Sequence, residues 1–230
     1  MNPPVEILRW PTARSRDWVC RFLQSAQHDS NIVAILAAGS AVRQHVSSVD
    51  LDLIAVCLNP PLLKMSAPLE IDLRVYAASE VDGQIALRHD LLVWAVKFGR
   101  VLFQRDQYWD QVVDAWMDRL PLPSAAMARQ RATGAYRRFV KVFELSDADA
   151  AYEQALLYVT HLARAALLDR GIFPASRPEL AGQLRAIGND TLADRFEQIA
   201  TGDETILKSL QSNREGIERD AFLDVAADVV

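Results

Sequence analysis

Residues 34–56, AILAAGSAVRQHVSSVDLDLIAV, join two apolar runs through a Gly-Ser corner and an Asp-Leu-Asp triplet. Both runs are short, rich in Ile, Leu, Val and Ala, and bounded by turn-forming residues. That pattern predicts two buried strands, over 32–38 and about 50–57. Side chains alternate along a strand, so Asp50 and Asp52 share one face while Leu51 and Leu53 enter the core. Neighbouring carboxylates repel and resist desolvation unless a positive charge lies between them. A hard divalent cation such as Mg2+ meets that need, because it takes carboxylate and phosphate oxygens. Gly39-Ser40 supplies the complementary half: a glycine lets backbone N–H groups approach a phosphate, and a serine hydroxyl bonds its oxygens.

The rest of the chain divides by its punctuation. Residues 13–28 carry Trp18, Val19, Phe22 and Leu23 at helical spacing. Residues 69–76, LEIDLRVY, alternate as a third strand with Asp72 at its middle and Arg74 on the same face, where Arg74 pairs with the acids or reaches substrate. A helix is predicted over about 81–97, with Ile85, Leu87, Leu91, Leu92, Trp94 and Ala95 as core positions and Gly99 closing it. RVLFQ at 100–104 reads as a further strand, and 109–120 as a helix. Pro121-Leu122-Pro123-Ser124 marks the boundary between a domain of residues 1–120 and one of 121–230. Beyond it helices are predicted over about 125–145, 147–170, 177–187, 190–201 and 203–226. The expected class is therefore α+β: a small mixed sheet with flanking helices, followed by an all-α helical bundle.

Gly39-Ser40, nine intervening residues, then Asp50-Leu51-Asp52 resembles the signature of the DNA polymerase β-like nucleotidyltransferase superfamily, in its minimal and antibiotic-modifying forms. The resemblance implies a third carboxylate on a later strand, the place Asp72 takes, and an arginine in the Gly-Ser turn, the place Arg43 takes. One departure is Val49 directly before Asp50, where many members carry serine; Ser47 and Ser48 come earlier. The resemblance further implies transfer of a nucleoside monophosphate, AMP from ATP being the first expectation, to a hydroxyl of a small molecule or a protein. Two Mg2+ ions would be held by Asp50, Asp52 and Asp72, with Asp72 as general base, and Gly39, Ser40 and Arg43 would hold the phosphates. The helical half is similar to bundles fused to such enzymes, and a homodimer is implied by analogy with the antibiotic-modifying relatives.

Composition narrows the field. Half of the residues are hydrophobic and 24% are charged, which suits a chain that buries a sizeable core. The net charge of −5 argues against a generally basic nucleic-acid groove. Cys20 and Cys57 show no ligand spacing, which points to a reducing, cytoplasmic setting. Neither a signal peptide nor a membrane span is expected. A competing reading is a toxin-antitoxin component that uses the same fold mainly to bind a partner, though the trio of acids speaks for catalysis. A ribonuclease of the HEPN kind would need an arginine four to six residues before its histidine, and the six positions before His161 hold none. Asp147, Asp149 and Glu153 either complement a helix dipole or meet a cationic acceptor. His45 lies in the phosphate-side turn but reads as an ordinary loop residue.

Overall fold

β1 (Ile32–Ala38) has seven residues, all apolar and all buried. A strand without polar side chains is stable only when both its faces are covered, so it occupies an interior position. In the computed structural model, which describes Ile7 and residues 9–43, 50–60, 66–202, 207 and 210, β1 is flanked on both sides. The other strands are β2 (Leu51–Cys57), β3 (Ile71–Ala77) and β4 (Arg100–Gln104), in the order β3-β2-β1-β4. β1 runs antiparallel to β2 and β4, whereas β2 and β3 are parallel. The chain divides into two units, Met1–Pro123 and Ser124–Val230. The class is α+β, a mixed sheet with helices followed by further helices. The expectations for His45, Ser47, Ser48 and Val49 lie outside the described residues.

One face of the sheet is covered by α1 (Ala13–His28). Its Trp18, Val19, Phe22, Leu23 and Ala26 join Ile35, Ala37, Leu51, Leu53 and Ile71 in one core. Thr12 starts the helix with a reciprocal cap: its hydroxyl accepts from the Ser15 N–H, and the Ser15 hydroxyl accepts from the Thr12 N–H, each at 3.0 Å. Arg105 closes the other end, donating to the carbonyls of Ala26, Gln27 and Asp29 at 2.8–3.2 Å and to that of Ile32 at 3.0 Å. These bonds satisfy carbonyls that a helix end leaves orphaned, and they tie the exit of β4 to α1.

The helix expected over 81–97 is two helices, α2 (Val81–Ala86) and α3 (Asp90–Phe98). Arg88 takes a left-handed conformation, φ +62°, and the N–H of His89 turns back to the Gln84 carbonyl at 2.9 Å. That break swings Leu87 into solvent, 79% exposed, so it is not a core residue. Gly99 does close α3, but with φ −63°; it is required because a Cβ would lie 2.5 Å from the Ala95 carbonyl oxygen. After β4 comes α4 (Tyr108–Trp116), continued by a 3-10 turn through Arg119. α3 and α4 both pack on β1.

The second unit is built on α5 (Ala125–Glu144) and α6 (Ala148–Asp169). Arg129 bonds Asp169 at 2.7 Å and Arg138 bonds Gln154 at 2.8 Å, as antiparallel neighbours require. Ala132, Ala135, Ala155 and Ala163 line the seam, and the small side chains let the large ones, Tyr136, Phe139 and Tyr158, fill it. α7 (Leu180–Ala186) and α8 (Asp190–Ala200) add Leu180, Leu184, Phe196 and Ile199 to the same core. Asp147 accepts from the Ala150 N–H at 3.0 Å and is thus the N-cap of α6. The helix expected over 203–226 lies outside the described residues except for Leu207 and Leu210, both buried. None of the described helices is long and apolar enough to cross a membrane.

His161 on α6 is held well below its ordinary range, at about 4, first by burial and then by Arg164, Arg131, Arg177 and Arg138. The unfolded chain therefore takes up this proton first. The contribution to stability is complete above pH 6.5 and is lost as pH falls toward about 4. Urea unfolding should show wild type losing on the order of 1–2 kcal/mol more than His161→Gln across that window, after discounting for solvent screening. Identical pH profiles for the two proteins would contradict this.

Candidate functional site

Strand register sets two of the three predicted acids, Asp52 and Asp72, beside each other along the backbone. Asp52 is the register partner of Ala38 on β1 and of Asp72 on β3. Partners on adjacent strands point to the same face, so the Asp52 and Asp72 side chains rise side by side. Leu51 and Leu53 point the other way, into the core under α1, and each is wholly buried. Asp50 stands just before β2 and is exposed, while Asp52 is half-buried. The Leu51 N–H donates to the Glu70 carbonyl at 2.8 Å and pins the start of β2 against the approach to β3.

Gly39 follows directly on β1 and turns with φ +72° and ψ −160°, a region open essentially to glycine alone. A Cβ placed there would overlap Asp52 Oδ2 and lie 3.3 Å from its Cγ. The glycine thus has two reasons to be a glycine: its backbone conformation and the carboxylate pressed against it. Ser40 opens a 3-10 turn, Ser40–Val42, and Arg43 donates its N–H to the Ser40 carbonyl at 3.1 Å. The Arg43 guanidinium lies over the Phe98 ring, 4.5 Å from its centroid, and Lys97 Nζ is 5.8 Å from the same ring. This stacking holds a positive charge at the end of the Gly-Ser turn. Sequence reading singled out Arg43 but not Phe98, because the contact joins α3 to a turn more than fifty residues earlier.

Asp72 is engaged along its own strand. Arg74 Nε and Nη2 both donate to Asp72 Oδ2, at 3.2 and 2.8 Å. The Arg74 pKa is raised, chiefly by that hydrogen bond and the Asp72 charge, with smaller contributions from Tyr76 and Asp52 against a modest cost of burial. Of the two roles open to Arg74, the structure therefore has it in the ion pair. Tyr76, next along the same face, has its phenol pushed up by burial and meets the His89 ring edge-on, centroids 5.5 Å apart.

The donor chemistry and the backbone positions fit a hard divalent cation: Asp50 just before β2, Asp52 on it, Asp72 in register on β3, and a glycine corner with no side chain in the way. The side chains themselves are not gathered for one. Among the described residues no group of three or more His, Cys, Asp or Glu is placed to hold a metal ion.

No protein-family model matches the sequence, and no curated protein matches it. Among solved structures, the chain is similar to a nucleotidyltransferase-like protein from Exiguobacterium sibiricum 255-15. The TM-score is 0.44 and the identity 16%, over 91% of this chain and 76% of that one.

The Gly39 corner makes a direct prediction. Gly39→Ala should destabilise the chain by about 1–3 kcal/mol through its backbone conformation and turn the Asp52 carboxylate aside. In a double-mutant cycle read by thermal unfolding, adding Asp52→Ala should recover part of that loss, because it removes the overlap but not the backbone strain. Strict additivity of the two substitutions would show that Asp52 does not abut Gly39.

Proposed function

We propose that the chain is a nucleotidyltransferase that moves a nucleoside monophosphate, AMP from ATP in the first instance, onto a hydroxyl of a small molecule or a protein. The observation that carries this reading is the register of Asp52 with Asp72 beside a glycine corner that abuts Asp52. Two carboxylates in register beside a glycine-serine turn suit metal-assisted phosphate chemistry.

Asp50 and Asp52 would hold Mg2+, with Asp72 completing the set for a second ion. Ions held there would supply charge neutralisation of the polyphosphate and a lowered pKa of the acceptor hydroxyl. The Ser40 hydroxyl and the backbone N–H groups after Gly39 bind phosphate oxygens, and Arg43, steadied on Phe98, adds a charge-assisted contact. The acceptor oxygen forms its bond to the α-phosphorus, the α–β bridging bond breaks, and pyrophosphate leaves with the electron pair. The Asp72 carboxylate takes the proton from the acceptor hydroxyl. That role requires Asp72 to part from Arg74.

The test uses ATP or GTP labelled at the α-phosphate, with Mg2+ and candidate acceptors. Label is expected on the acceptor from the α position and not from the γ position. Asp50→Ala and Asp52→Ala should abolish transfer, and Asp72→Asn should slow it by about 100-fold or more. Transfer of the γ label, or undiminished transfer by Asp52→Ala, would sink the proposal.

A further inference from the structure

Two donors of Arg74 converge on a single oxygen of Asp72, at 3.2 and 2.8 Å, from a position two residues along the same face of β3. Asp52, in register with Asp72, stands on the adjoining strand. We propose that Arg74 is a latch on the third carboxylate: its guanidinium engages Asp72 in the cation-free protein, and a divalent cation must displace it before Asp72 can join Asp52 as a ligand. This inference rests on the metal-site reading above and adds to it a device that sets when the site is complete.

Three observations support the latch. First, the Asp72 carboxylate, in register with Asp52, is already engaged by two donors of the guanidinium. Second, the guanidinium feels Asp52 as well as Asp72, so it occupies the same negative field that a cation would seek. Third, the pair is open to solvent, with side-chain exposures of 60% for Arg74 and 49% for Asp72. An exposed pair is weak, so a divalent ion with several carboxylate ligands can replace it. Arginine does not lose its charge at any working pH, so release has to come from competition by a cation and not from titration.

The latch is tested by calorimetric titration of the full chain with Mn2+, free of nucleotide, in wild type, Arg74→Lys, Arg74→Ala and Asp52→Asn. The expected order of affinity is Ala above Lys above wild type, with Ala about two- to fivefold tighter than wild type, and with binding lost in Asp52→Asn. Lysine is the discriminating variant, because it keeps the charge but loses the two-donor fork on Asp72. If Arg74→Lys binds as wild type does and only Arg74→Ala gains, the effect is one of charge alone and the latch is wrong. Equal affinity in wild type and both Arg74 variants, with binding still lost in Asp52→Asn, also overturns the latch but leaves the metal site standing. If none of the four proteins binds Mn2+, the metal-site reading falls and takes the latch with it.

Discussion

The pairing of β1 with β2 is the constraint on which the rest depends. β1 is buried on both faces, so it can neither slide nor rotate without exposing apolar side chains. A slip of one residue in β2 would move its acids into the core and its leucines to the opposite face. Burial of Leu51 and Leu53 therefore fixes where Asp52 points, and the Ala38–Asp52 pairing fixes how close it comes to the Gly39 corner. Hydrophobic burial in the sheet thus sets the position of a carboxylate that takes no part in the core.

Electrostatics then decides the state of the site. Two carboxylates in register on parallel strands are unfavourable without a counter-charge. Arg74, from the same strand, supplies such a charge to Asp72. The Arg43 guanidinium stacks on Phe98 at the end of the Gly-Ser turn. The chain thus carries one arginine bonded to Asp72 and another stacked on Phe98 beside the Gly-Ser turn.

Much of this was legible along the chain because the decisive signals are local. The bounds of α1 follow from periodicity and those of β1 from its apolar run and the Gly39 that ends it, and the alternation around Leu51 and Leu53 tells which way Asp52 faces. What could not be read is non-local or lacks a residue-type signal. The break at Arg88 has no glycine or proline to announce it, since an arginine there takes the left-handed conformation. That β2 and β3 are hydrogen-bonded neighbours, so that Asp52 meets Asp72, is a fact of pairing across the sheet and not of pattern within either strand. The surroundings of His161 are likewise invisible in sequence, because its arginines come from two helices and from the turn after α6.

The most direct test of the account is a crystal structure of the chain grown with Mn2+ and a non-hydrolysable nucleoside triphosphate, read by the anomalous scattering of manganese. The account predicts a peak within about 2.5 Å of carboxylate oxygens of Asp50 and Asp52, with the phosphates against Gly39 and Ser40. A nucleotide bound elsewhere, or no manganese at these acids, would contradict it.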